Sequence, residues 1–336
     1  MTPRIALTLC VALLFFTDEL QAQEVPIGAL PTRYNGGFAG ESGGLRVTSF
    51  SYLNYRQYNF TTPSSPDHAS NSGTFISVDH FLKKIGSGVA ITAGQEGDGH
   101  NYRNTATSLA ISPKISLNGK YTIAPFADFS FSRKNYVLSE FTQAYLNLPA
   151  NYSLDDFRIK TGLLANSSKA YAGISAEILQ KYNKPTFDST NHRVFSNMKY
   201  TLQTGYTFQR TPESKISFTV QLAVSYGKLR AEDYPIQKIY RWENLNLEDL
   251  NLMFRYKKFI SGINSAGFVL GCQSNKFKLQ VTNFYTKREK FGERVNIYSY
   301  LEKKDENRIS NTKTYIGTIS LRYIFRKNSS VNTPGF

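Results

Sequence analysis

KYTLQTGYTF, residues Lys199–Phe208, alternates without a break: Tyr200, Leu202, Thr204, Tyr206 and Phe208 fall on one side, and Lys199, Thr201, Gln203, Gly205 and Thr207 on the other. Successive side chains of a strand point to opposite faces, so this is a strand with one apolar, aromatic face and one polar, small face. The next apolar stretch repeats the pattern, with Ile216, Phe218, Val220, Leu222, Val224 and Tyr226 set against Ser217, Thr219, Gln221, Ala223 and Ser225. Phe277, Leu279, Val281 and Tyr285 oppose Lys278, Gln280 and Thr282 in the same way. Each segment is close to the ten or so residues that a tilted strand needs to cross a bilayer.

Working outward, the same alternation predicts strands over 44–56, 73–83, 87–96, 103–116, 119–132, 153–166, 168–180, 196–209, 214–228, 247–257, 258–264, 266–273, 275–286 and 312–326. That is about fourteen, an even number, as single-chain bacterial barrels require. In a soluble barrel the apolar face would turn inward. An apolar face repeated this often and edged with Tyr and Phe instead suits lipid outside and a polar lumen inside. The predicted fold is an all-β, transmembrane, antiparallel up-and-down β-barrel. The pair 258–264 and 266–273 is short for a bilayer.

Turn chemistry orients it. Lys83-Lys84-Ile85-Gly86, Asn118-Gly119, Asn166-Ser167-Ser168, Thr211-Pro212-Glu213-Ser214 and Gln273-Ser274-Asn275-Lys276 are short hairpin turns, which belong on the periplasmic rim. Longer polar connections near 57–72, 97–102, 133–152, 181–195, 229–246 and 287–311 alternate with them and should face outward.

The chain of 336 residues carries 22 Tyr and 24 Phe, too much aromatic content for long-chain disorder, and its mean hydropathy of −0.37 excludes a polytopic helical membrane protein. Residues 1–22 read as a signal peptide: Arg4, an apolar core from Ile5 to Phe16, and Ala22 before the cut. Residues 23–43 are Gly-rich and lack alternation, so they should sit on the periplasmic face or fold into the lumen, away from lipid. The barrel is expected over 44–326 and a tail over 327–336.

Chemistry is sparse. Cys10 and Cys272 cannot build a disulfide framework or a four-ligand zinc site, and four scattered His residues do not make a metal centre. Asp79 and His80 are strand neighbours and point to opposite faces, so they cannot act as a pair. No HExxH, GxSxG or phosphate-loop spacing occurs. The reading is therefore no enzyme, no catalytic or metal residues and no cofactor. A net charge of +15 from 40 Lys and Arg against 25 Asp and Glu is dispersed along the chain. Nucleic acid does not fit that dispersion, whereas phosphate-rich lipid headgroups and an anionic passenger in the lumen do.

The segment Tyr34-Asn35-Gly36-Gly37-Phe38-Ala39-Gly40, followed by Gly43-Gly44-Leu45-Arg46-Val47 and Tyr52-Leu53-Asn54-Tyr55-Arg56, resembles the opening of the PorP/SprF family. Its members are outer-membrane components of the type IX secretion system of Bacteroidetes. They open with Tyr/Phe-Asn-Pro-Ala-Tyr/Phe-Ala-Gly, and here Gly36 replaces the Pro and Gly37 the Ala. Ser72–Asp79, Ile85–Val89, Gly267–Lys276 and Leu279–Tyr285 continue the likeness. The resemblance implies an outer-membrane barrel of fourteen strands that helps cargo with C-terminal sorting domains reach or stay on the cell surface. It implies other type IX components and outer-membrane lipid as further partners.

The expected contact residues, with cargo or at the periplasmic mouth, are Tyr34, Asn35, Gly36, Gly37, Phe38, Ala39 and Gly40, with Arg46 and Arg56 at the lumen base. The rival reading is an outer-membrane channel for a small, hydrophobic substrate, with the N-terminal segment as a hatch. Cleavage after Ala22 predicts that N-terminal sequencing of the exported protein begins at Gln23; a chain still starting at Met1 would mean a retained leader.

Overall fold

The computed structural model describes residues 29–59, 68–98, 102–137, 151–182, 196–209, 214–229, 242–264, 267–274, 276–290 and 310–325. The expected signal peptide and C-terminal tail lie outside them. Fifteen strand segments run in order: β1 Leu45–Asn59, β2 His68–Leu82, β3 Ser87–Gly97, β4 Tyr102–Pro113, β5 Ile115–Leu117, β6 Tyr121–Val137, β7 Asn151–Ser167 and β8 Ala170–Tyr182. Then follow β9 Ser196–Phe208, β10 Ile216–Leu229, β11 Trp242–Tyr256, β12 Phe259–Asn264, β13 Gly267–Gln273, β14 Phe277–Lys290 and β15 Ser310–Phe325.

Every pairing is antiparallel, and β1 pairs with β15 from Leu45↔Phe325 to Asn59↔Asn311, which closes the ring. Segments β4 and β5 form a single stave. Both pair with β6 in one register, through Ile111↔Ala127 and then Ile115↔Ile123. That register sets Pro113 opposite Pro125, two residues without an N–H to donate, and the ladder breaks there. Lys114 gives its N–H instead to the Gly86 carbonyl at 2.9 Å. The barrel therefore has fourteen staves, one for each strand expected from alternation.

The faces sort as the sequence requires. On β9, Leu202 is 58% exposed and its neighbour Gln203 fully buried. Ile76, Ile91, Ile174, Leu270 and Ile319 also point outward and exposed, while Ser77, Thr92, Ser175, Gln221 and Thr318 are buried inside. Apolar exposure of this kind costs nothing against acyl chains, whereas in water it would drive aggregation. Phe208, Phe218, Tyr256, Phe259, Tyr323 and Phe325 stand exposed at strand ends near the short-turn rim, the position of an interfacial aromatic girdle. Cys272 shares a face with Phe268 and Leu270, the two outward residues of β13.

The pair β12 and β13 has only 6 and 7 residues. β12 pairs with Leu252–Tyr256 of β11 alone, so the wall of described strands is lower there than along β6 and β7, which have 17 residues each.

A charge on the lipid face should cost about 2–4 kcal/mol at mid-depth. Leu202→Arg should therefore lower the urea midpoint of the refolded barrel, while a polar residue at the neighbouring lumen position Thr201 should leave it nearly unchanged. Equal losses at both positions would contradict the facing assigned here.

Candidate functional site

The N-terminal segment lies inside the barrel, packed against the inner wall. Pro31–Tyr34 forms one helical turn, α1, with Pro at its first position, where a missing N–H costs nothing. Asn35 is extended, and its side chain accepts the Gly37 N–H at 2.8 Å, capping a 3-10 turn over Gly36–Phe38. All residues from Tyr34 to Gly40 are buried.

One carboxylate organises this segment. Asp79, on the inner face of β2, accepts the Gly40 N–H at 2.9 Å on one oxygen and Arg46 Nε at 2.6 Å on the other. Arg46, on β1, also donates through a terminal guanidinium nitrogen to the Phe38 carbonyl at 3.1 Å. Both side chains are almost wholly buried, at 6% and 0% exposure. A buried pair of this sort contributes little net stability, yet removing one partner costs about 3–5 kcal/mol because the other charge is stranded. Gly40 has φ +68°, and a Cβ there would lie 2.7 Å from Gly88 Cα, so only glycine fits. The wall makes the same concession: a Cβ on Gly88 would lie 1.9 Å from the Ala39 carbonyl oxygen.

From that anchor the segment crosses to the opposite wall. Phe38 meets Tyr171 of β8 edge to face, with ring centroids 5.1 Å apart, in a buried cluster with Tyr34, Ala124, Leu164 and Ala223. Leu30 and Ala29 pack with Phe50, Tyr52 and Phe75. Backbone carbonyls are tied down by wall side chains: Gln203 Nε2 to Tyr34 O at 3.2 Å, Lys160 Nζ to Arg33 O at 2.8 Å, and Lys114 Nζ to Gly37 O. Arg33 lies over the Phe75 ring, 4.2 Å from its centroid. Asn166 Nδ2 donates to the Glu41 carboxylate.

Seven of the nine residues expected from sequence, Tyr34 to Gly40, form this plug, and Arg46 holds it. Arg56 does not join them. It lies near the far end of β1, opposite Ala69 and Thr314, about 33 Å along the strand from Arg46 at some 3.3 Å per residue. Sequence reasoning treated Asp79 only as a neighbour of His80 and missed it as an anchor. Asp79 is buried inside and His80 falls on the opposite face. Lys114, Lys160, Asn166 and Gln203 were also missed, because each meets the plug from far along the chain. Among the described residues no three His, Cys, Asp or Glu side chains converge as metal ligands.

A family model described as type IX secretion system membrane protein PorP/SprF matches residues 31–331, from the plug through the last strand. The chain belongs to the PorP/SprF family. PorP/SprF proteins are secretion-system membrane components, not a family of enzymes, and this PorP/SprF member is a type IX secretion outer-membrane β-barrel. No individually curated protein matches its sequence.

Solved structures similar to this PorP/SprF chain include a Pseudomonas aeruginosa FadL homologue, at 9% identity over 90% of this chain and 95% of that one, TM-score 0.47. The Pseudomonas putida toluene transporter TodX is 8% identical over 90% and 95%, TM-score 0.45. The translocator domain of the autotransporter NalP from Neisseria meningitidis is 9% identical over 84% and 88%, TM-score 0.41.

Glu41 gives the plug a pH dependence. Burial pushes its carboxyl up from the ordinary value of 4.5, against the opposing pull of Lys114 and Arg46. A raised folded-state value means that its contribution to stability is complete below the ordinary value and is lost as pH rises through the raised one. The denaturant midpoint of the wild type should therefore fall more steeply from acid toward neutral pH than that of Glu41→Gln, whose amide does not titrate. Parallel profiles for the two proteins would remove Glu41 as the cause.

Proposed function

We propose that this barrel is a closed docking component of the type IX secretion system, supporting secretion or surface attachment of cargo with C-terminal sorting domains, and not an open channel. The observation that carries the reading is the plug: a buried segment is held across the lumen by side chains of β1, β2, β7 and β9 and by Lys114, leaving the rims as contact surfaces. In this reading Tyr34–Gly40 and Arg46 seal the periplasmic mouth and make the contacts there. Cargo engages the outer rim, where the longest connections emerge and where Arg56 sits close by. Other secretion components meet the short-turn rim, and lipid surrounds the apolar belt.

Electrostatics support a seal more than a hatch. A hatch for small hydrophobic compounds would be expected to move on modest forces, whereas this one is pinned by a buried ion pair and several charge-assisted hydrogen bonds, each worth about 1.5–3 kcal/mol.

The test is a mild-detergent pull-down of the mature protein from its own outer membrane, with mass spectrometry of what co-elutes, alongside planar-bilayer conductance. Recovery of a large secreted protein bearing a C-terminal sorting domain, with a silent wild-type barrel and openings in Asp79→Ala, is the expected result. A partnerless wild-type barrel that conducts would overturn it and favour a small-substrate channel.

A further inference from the structure

The short hairpin of β12 and β13 interrupts the wall in a particular way. Only residues 265 and 266 join the two strands, so the hairpin stops just past the pairs Leu252↔Ile263 on one side and Phe268↔Asn283 on the other. Its flanking strands continue. β11 reaches outward to Trp242, held by β10 as far as Leu229↔Trp242, and β14 reaches Lys290, held by β15 as far as Lys290↔Ser310. Above the hairpin each of these two strands keeps one neighbour. Among the described strands nothing pairs with its other side, and no pairing joins β11 to β14.

The ladders on either side of β14 show which backbone groups face this slot. Ile324 donates its N–H to the Lys276 carbonyl at 2.8 Å, and Ser274 donates to the Phe277 carbonyl at 2.6 Å. In an antiparallel ladder the direction of bonding alternates from one residue to the next. Even-numbered residues of β14 therefore bond toward β15 and odd-numbered ones toward β13. Past Asn283, the N–H and C=O groups of Tyr285, Lys287 and Glu289 turn into the slot.

Its dimensions suit two strands. Across the hairpin, β11 and β14 stand three strand spacings apart, about 14 Å. The edge Phe284–Lys290 offers about 23 Å of strand before tilt. At the base the wall is continuous through Phe259↔Cys272 and Gln273↔Lys278, so the slot is entered from the outer rim and not from the short-turn rim. Its lower part lies in the apolar belt: Phe268 and Leu270 just below it are 69% and 68% exposed, and Tyr315, directly opposite Tyr285, is exposed on the same face of β15 as Ile319. Acyl chains carry no group that answers a strand edge. An extended polypeptide answers it residue by residue, the mode known as β-strand addition.

We propose that the slot between β11 and β14 receives a β-hairpin of a partner protein arriving from the cell exterior, one strand descending antiparallel beside β14 and the other rising antiparallel beside β11. Its side chains alternate, apolar ones outward in line with Phe268 and Leu270, polar ones inward above Asn264. The slot itself follows from the strand ladders. The docking reading above enters only in making the partner a protein delivered to the cell surface.

The experiment uses the full-length chain in its own outer membrane, with the photo-crosslinker p-benzoylphenylalanine replacing Phe268, or replacing Phe129 on the lipid face of β6 across the barrel as the reference. Irradiation should give an intermolecular adduct from position 268 and little from position 129. Lys287→Pro removes a slot-facing N–H and no N–H of the β15 ladder, so the barrel should remain heat-modifiable on gels. The adduct should fall about fivefold for that one lost hydrogen bond. Lys287→Ala retains the N–H and should retain the adduct, which separates strand addition from a side-chain contact. Glu289→Pro has the same orientation and serves where Lys287→Pro does not fold. No adduct at 268, an adduct only within the same chain, or an adduct that the proline variant leaves at full yield overturns the proposal. The pull-down above judges the docking reading separately: sorting-domain cargo recovered without a slot adduct removes the slot and leaves docking standing, and a proline-sensitive adduct without such cargo does the reverse.

Discussion

Hydrocarbon offers a backbone amide no hydrogen-bond partner, and every other feature of this protein follows from meeting that constraint. The ladder between β1 and β15 meets it by joining the first and last strands, so that no edge is left at the seam. Closure then fixes the alternation: one face of every strand must be apolar for lipid, and the other is free to be polar. Fourteen staves enclose more space than their own inward side chains, many of them Ser, Thr, Ala and Gly, can fill. The chain places its own N-terminal segment there.

That segment could not be placed in lipid or in a sheet, because its short helix, 3-10 turn and left-handed glycine leave several carbonyls unpaired by backbone. The wall supplies what the segment lacks. Asp79 receives an N–H, and Arg46, Lys114, Lys160 and Gln203 donate to carbonyls. The cationic excess visible in composition thus has one local use, the neutralising of backbone oxygens in a space where water is scarce.

The fold was legible in the sequence to an unusual degree, and for a physical reason. A strand with lipid on one side and a polar lumen on the other writes its geometry into every second residue, so Lys199–Phe208 alone reveals its two faces. Even the short pair at 258–264 and 266–273 was readable. The break between β4 and β5 was not, because it needs the register of two distant strands to bring Pro113 against Pro125. The plug was half legible: its glycines and lack of alternation excluded lipid, and the likeness of Tyr34–Gly40 to a family motif marked it. Its anchors were hidden, since a lumen-facing Asp or Gln looks alike on every strand and only the closed barrel shows which one meets residue 40. Arg56 shows the converse error, a residue close in sequence to Arg46 that the rise of one strand carries to the other end.

The unequal height of the wall has a consequence for the membrane itself. Six residues at about 3.3 Å each give β12 some 20 Å of length before tilt, short of the roughly 25 Å apolar band that such barrels present. The 17-residue staves on β6 and β7 overshoot that band. A bilayer meeting both sides at once must thin beside one and not the other, or the barrel must lean. Either response removes the molecule's rotational equivalence about the membrane normal. It gives the barrel a compass direction in the plane of the membrane, so that neighbours arriving by lateral diffusion meet it from a preferred side.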